Sequence, residues 1–222
     1  MTLPRRLAAE ALGSLLLAAA VIGSGIMAER LAGGSAAIAL LANTAATVAA
    51  LGVLITVLAP VSGAHFNPVV TLIAALRRAL APKDAAAYAV AQVAGCCAGA
   101  LLAHAMFDLP LLQASTHVRT GASQWLAELV ATFGLLLVAL GSSKDRAAWT
   151  VAAWIGGAYW FTSSTSFANP AITVARALSD TFAGIRPEDV PGFVAAQLVG
   201  ALLAWRCAAW LLARGSDAPE PD

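Results

Sequence analysis

The sequence predicts an all-α integral membrane protein of six transmembrane helices plus two re-entrant half-helices, built as an inverted repeat of three spans each. Three observations carry that prediction. The chain is too apolar for water, it repeats its own phrases about half a chain apart, and an Asn-Pro step interrupts each half at the same place. Of its 222 residues 60% are apolar and 11% charged, with a mean hydropathy of +0.80, where an ordinary soluble domain carries about 25% charged residues.

A helical span needs about 20 apolar residues. Charge-poor stretches cover 7–28, 36–59, 85–107, 125–141, 147–161 and 191–213. Six such spans use more than half of the chain and leave no soluble catalytic domain, so no enzymatic activity is expected. Residues 1–20 imitate a signal peptide, with Arg5 and Arg6 as its basic start, but the first span has a counterpart later in the chain and is expected to be retained. With the N-terminus in the cytoplasm, Arg5, Arg6, Arg77, Arg78, Lys83, Lys144, Arg146, Arg206 and Arg214 fall inside, and Arg30, Arg119, Arg176 and Arg186 outside. That bias predicts a multi-pass protein of the inner (plasma) membrane with both termini cytoplasmic. Trp125, Trp149 and Trp210 near span ends read as interface anchors.

The repeat is explicit. AEALGSLLL from Ala9 returns as AELVATFGLLL from Ala127, SGAHFNPVVT from Ser62 as TSFANPAIT from Thr165, and AQVAGCCAGALL from Ala91 as AQLVGALLA from Ala196. The offsets are 118 for Glu10 to Glu128, 102 for Asn67 to Asn169 and 105 for Gln92 to Gln197. One domain therefore covers 1–222, with repeats at approximately 7–107 and 124–213. Three spans per half make the second half cross in the opposite sense, and corresponding interruptions then meet at mid-membrane.

Each interruption has readable chemistry. Asn is a preferred helix N-cap, and Pro suits the first helical position because its missing N–H has no intrahelical partner there. Asn67-Pro68 and Asn169-Pro170 thus start helices, expected over 68–80 and 170–178, each long enough for about half of a 30 Å hydrocarbon core. The preceding SGAH and SSTSF read as extended polar backbone, which survives at membrane depth only if packed in protein or lining water. A wet lumen follows.

Both Asn-Pro steps are followed by Thr four residues after the Asn, at Thr71 and Thr173. With AEALG, AELVATF, SGAH and the AQ-x-x-G phrases, these paired boxes give the chain a resemblance to the major intrinsic protein family, the aquaporins and aquaglyceroporins, over almost its whole length. The resemblance implies one pore per protomer, a homotetramer in the lipid bilayer, small neutral solutes and water as partners, and no cofactor, metal or nucleic acid. It places the pore centre at Asn67, Pro68, Val69, Asn169, Pro170 and Ala171, with Val69 standing where the family has Ala. In the pore reading the Asn side-chain oxygens cap their own helices, and the amide N–H groups turn to the lumen to orient solutes. The two helix N-termini, each worth about half a positive charge, repel cations by roughly 4 kcal/mol and leave neutral solutes unaffected.

Carried over by distance from the boxes, the narrow filter falls on Thr47, Gly157, Ser166 and Ile172, the last standing where the family has Arg. A ring without aromatic or charged members predicts solutes larger than water: glycerol-like polyols, urea or undissociated metalloid acids. The phrase SFANPAITVARALSDTFAGI from Ser166 resembles bacterial members associated with arsenic resistance, which implies arsenite among them. Arg176, one turn beyond Ile172, is expected at the outer vestibule, either reaching back into the lumen or pairing with Asp180.

Glu10 and Glu128 lie in apolar stretches, where an ionisable residue is costly; recurring in one phrase, they read as acceptors for the backbone of the re-entrant loops. Gln92, Gln197 and His65 read as further braces, and Gly95 and Gly99 as a close-packing face. His104 and His117 have no acid or thiol at metal-ligand spacing, and Cys96, Cys97 and Cys207 read as packing residues. Inverted repeats with broken helices also build ion-coupled secondary transporters, so a carrier of a small solute stays open, as does a non-conducting membrane scaffold.

Overall fold

The computed structural model describes residues 1–212. Eight α-helices account for most of them: α1 Leu3–Leu31, α2 Ala36–Ser62, α3 Pro68–Leu76, α4 Pro82–Met106, α5 Ala122–Gly141, α6 Ala147–Phe161, α7 Pro170–Arg176 and α8 Val190–Leu211. A 3-10 turn at Pro187–Asp189 leads into α8. The span expected to end at Ala213, and the basic Arg214, reach outside the described residues. Together with the 3-10 turn before α8, α1, α2, α4, α5 and α8 form five segments long and apolar enough to cross a membrane. At 15 residues, about 22 Å, α6 is shorter than a 30 Å core.

The repeat is visible in the packing. α1 lies against α4 and α2, as α5 lies against α8 and α6, while α2 meets α6 and α4 meets α7 across the halves. Glycines set the closest approaches. A Cβ on Gly95 would lie 2.3 Å from the Ala11 carbonyl oxygen, one on Gly99 2.2 Å from that of Leu15, and one on Gly200 2.4 Å from that of Leu129. Ala11 and Leu129 are 118 apart and Gly95 and Gly200 are 105 apart, the same offsets that separate the repeated phrases.

The two short helices stop earlier than the sequence suggests. α3 ends at Leu76 because Arg78 turns left-handed at φ 59°, with its N–H on the Ala75 carbonyl and that of Ala79 on Ala74. This is a Schellman closure built without glycine. α7 ends at Arg176, where the N–H groups of Ala177, Leu178 and Ser179 bond three residues back instead of four, tightening the last turn into 3-10 geometry.

The segments before them are not extended, contrary to the sequence reading. Ala64 and Phe66, and 102 positions later Ser166 and Ala168, have φ between 48° and 51°. Alternating left-handed residues throw successive peptide groups to opposite sides, at a strain of about 1–2 kcal/mol per non-glycine residue. Some other contact must hold them there.

Candidate functional site: a cavity between the two Asn-Pro loops

Glu10 supplies the contact in the first loop. Its carboxylate, fully buried, accepts the backbone N–H groups of His65 (3.0 Å) and Phe66 (2.7 Å), the Ser62 hydroxyl (2.6 Å) and the Gln92 amide (2.7 Å). Glu128, equally buried, accepts Phe167 N–H (2.8 Å), Ala168 N–H (2.9 Å) and the Gln197 amide (2.6 Å). Each glutamine also donates, at 2.9 Å, to the threonine four residues after its box: Gln92 to Thr71 and Gln197 to Thr173. His65 adds a contact absent from the second half, its Nδ1 lying 3.0 Å from Thr71 Oγ1 and its ring edge-on to Tyr88.

The asparagines cap and clasp at once. Asn67 Oδ1 accepts from Val69 N–H, and Asn169 Oδ1 from Ala171 and Ile172 N–H, which satisfies helix-end donors that otherwise lack partners. Asn67 Nδ2 donates to the Ala168 carbonyl and Asn169 Nδ2 to the Phe66 carbonyl, both at 2.8 Å. One of the two amide N–H groups of each Asn is therefore spent on the opposite loop and only the other is free to turn elsewhere, a correction to the reading in which the amide serves the lumen alone. Pro68 and Pro170 occupy the first helical positions, followed by buried Val69 and Ala171.

A cavity of about 370 Å³ runs along both short helices. α3 lines it with Val70, Ile73, Ala74 and Arg77, and α7 with Ile172 and Arg176. Since α3 and α7 meet at their N-terminal Asn residues, Arg77 and Arg176 mark its opposite ends. Leu17 of α1 and Leu135 of α5, 118 apart, face it equivalently. The wall is mostly apolar; its polar groups are those of the two loops together with Thr47, Tyr159 and Arg176 on the helices and Arg77 at the end of α3. Among the described residues the carbonyls of Gly63, Ala64 and His65 accept nothing from the protein, although all three residues line the cavity.

Thr47, Ser166 and Ile172 of the expected filter line the cavity, but Gly157 does not. Gly157 is exposed on the far side of α6, and a Cβ there would touch only Phe161, at 4.0 Å. α6 turns Ala147, Val151, Ile155 and Tyr159 inward, the four-residue period of one helix face, and Gly157 lies two residues, about 200°, off that face. The aromatic ring that the carried-over register left out is Tyr159.

Arg176 is buried at 3% exposure, with its guanidinium stacked 3.3 Å from the Phe167 ring centroid and Nε donating to the Ala183 carbonyl. It does not pair with Asp180, which accepts Thr116 N–H (2.8 Å) and the Thr116 hydroxyl (2.9 Å). Those bonds, the backbone one foremost, hold the Asp180 carboxyl below the usual carboxylate range. Sequence reasoning missed Arg119. It crosses from the loop after α4 to donate to the Gly184 and Ser164 carbonyls, and it lies 5.1 Å from the same Phe167 ring. No spacing within one element signals that contact.

His104 is buried, with Nδ1 2.8 Å from the Leu111 carbonyl and Nε2 2.9 Å from the Ser179 hydroxyl, while His117 faces Asp180 at 3.8 Å. Among the described residues no three His, Cys, Asp or Glu side chains come together to hold a metal ion. The three cysteines are free thiols, Cys96 donating to the Ser14 carbonyl.

These features have counterparts among known proteins. The family model for major intrinsic proteins matches residues 1–163. The aquaglyceroporin AqpS of Rhizobium meliloti (strain 1021) is 56% identical over 165 residues, 73% of this chain and 71% of that one. Aquaporin-5 of Ovis aries is 30% identical over 102 residues, 44% of this chain and 38% of its own. In fold, the X-ray structure of the aquaglyceroporin from Plasmodium falciparum superposes with a TM-score of 0.74 at 21% identity, covering 96% of this chain and 98% of that one. A family model that matches most of the chain, a relative 56% identical over 165 aligned residues and a shared multi-spanning all-α fold agree: the chain belongs to the major intrinsic protein family.

Proposed function

We propose that the protein is a passive transmembrane channel for small uncharged solutes, namely glycerol-like polyols, urea and undissociated metalloid acids such as arsenite, together with water. The observation that carries this reading is the cavity of about 370 Å³ threaded past both Asn-Pro loops, mostly apolar on its helical walls and polar along the loops. A polyol suits such a wall, its carbons against Ile172 and Ile155 and its hydroxyls donating to loop carbonyls with no protein donor. Similarity to the Rhizobium aquaglyceroporin supports the polyol class.

In this reading α1, α2, α4, α5, α6 and α8 cross the inner membrane, with α3 and α7 as inverted half-spans. Both termini are cytoplasmic, and the chain assembles as a homotetramer. The short α6 spans by joining the loop at its end. Asn67 and Asn169 form the pore centre, and the constriction comprises Thr47, Tyr159, Ser166 and Ile172, with Arg176 beyond it. Glu10, Glu128, His65, Gln92 and Gln197 hold the loops. An ion-coupled carrier needs an acid free to exchange its ion beside the solute, whereas Glu10 and Glu128 each accept three or more hydrogen bonds.

Stopped-flow light scattering on vesicles holding the full chain tests the function. Glycerol flux linear in its gradient and indifferent to proton and sodium gradients is expected; saturable, ion-dependent flux identifies a carrier, and no flux a scaffold. Ile172→Arg adds a charge and donors at the constriction, so the glycerol-to-water flux ratio is expected to fall about tenfold, the factor that roughly 1.4 kcal/mol of added barrier produces. An unchanged ratio in correctly inserted protein removes Ile172 from the constriction.

A further inference from the structure

We propose that the outer end of the cavity is a binding site for a small monocarboxylate of formate or acetate size, held by the free edge of the Arg176 guanidinium. The proposal deepens the channel reading and rests on it for the cavity's access to solution. Arg176 is 97% buried on the wall of the cavity, yet Nε, bonded to the Ala183 carbonyl, is its only donor with a protein partner among the described residues. Stacking on Phe167 covers one face of the guanidinium plane and leaves the edge bearing the two terminal nitrogens.

No carboxylate oxygen lies within 4 Å of a guanidinium nitrogen of Arg176 or of Arg119 among the described residues. The candidates are engaged elsewhere: Asp180 on Thr116, Asp189 on Arg186 and the Arg119 N–H, Glu128 on the Phe167 loop. Two guanidinium groups thus share the Phe167 ring, at 3.3 and 5.1 Å, with only neutral carbonyls as acceptors. A buried cation without a counter-charge is costly, and the cavity is the route by which an anion reaches this one.

Ser166 and Thr47, residues 98% and 97% buried that line the same cavity, carry hydroxyls with no hydrogen-bond partner among the described residues. A planar carboxylate matches the guanidinium fork through two parallel N–H···O bonds, which a spherical anion cannot form and which a lysine ammonium reproduces only as a point charge. Arg119 is spent on the Gly184 and Ser164 carbonyls and contributes field alone.

The test is titration calorimetry of sodium formate into the purified full-length protein in detergent, with sodium chloride at matched ionic strength as a parallel arm. Saturable formate binding at one site per chain is expected, with chloride weaker by about tenfold or more, and Arg176→Lys, which keeps the charge for folding, weakening formate about tenfold. Absence of binding to the wild-type protein overturns the proposal, as does equal binding of chloride or an unchanged affinity in Arg176→Lys. Glycerol flux in vesicles separates this from the channel reading. Flux that saturating external formate slows supports both, flux indifferent to formate overturns the site, and formate binding without any glycerol flux overturns conduction while the site stands.

Discussion

Replacing Glu128 by Ala is expected to remove most folded protein and, with it, all solute flux. The change strands three donors in a fully buried place, the N–H groups of Phe167 and Ala168 and the Gln197 amide. Each unsatisfied donor costs about 1–3 kcal/mol, so the sum of several kcal/mol approaches the roughly 5–15 kcal/mol that holds a whole domain together. The loop also loses the restraint on two left-handed residues. Glu128→Gln keeps one accepting oxygen and turns the other position into a donor facing donors, so an intermediate loss is expected. Monodisperse yield after solubilisation, thermal unfolding and flux per folded chain measure it. An alanine variant as stable and as permeable as the parent shows that the loop does not depend on this carboxylate.

Gly95→Leu is expected to be nearly as damaging, for a steric reason. Even its first carbon would stand 2.3 Å from the Ala11 backbone oxygen, and backbone cannot rotate away as a side chain can, so α1 and α4 must part by about 1 Å. Overpacking alone costs about 1–3 kcal/mol. Those two helices also carry Glu10 and Gln92, whose 2.7 Å bond helps to hold the first loop, so parting them loosens the loop as well. Gly157→Ala is the control, since its added carbon meets only Phe161 at 4.0 Å. Unfolding temperature and glycerol flux for both are the measurements; a Gly157→Ala variant with altered selectivity returns that residue to the constriction.

Much of the architecture was legible because repetition is a long-range signal written in short phrases. AEALG and AELVATF announced the two buried acids, and the Asn-Pro steps announced two caps. α3 and α7 began at Pro68 and Pro170 as the capping chemistry requires. Their ends were not legible, since Arg78 adopts a left-handed turn that an arginine does not advertise. Gly157 was placed on the lumen by counting from Asn169, but rotation about α6 is fixed by packing on α2, where Gly156 meets Val48. The pattern Ala147, Val151, Ile155, Tyr159 gave the signal that finds Tyr159. Arg119 and Phe167 lie 48 residues apart and only the folded chain joins them.

The mutual clasp of Asn67 and Asn169 also sets an order of events at the ribosome. Asn67 needs the Ala168 carbonyl, 101 positions further along, and Asn169 reaches back 103 to Phe66. At about 5–20 residues per second, translation takes roughly 5–20 s to deliver the missing partner. Glu10 precedes the first loop and is available at once to take its N–H groups, so the nascent half is braced while its asparagine waits. The second asparagine and the helix after it are made late, so a chain abandoned before residue 169 lacks the clasp on which the first loop's asparagine depends.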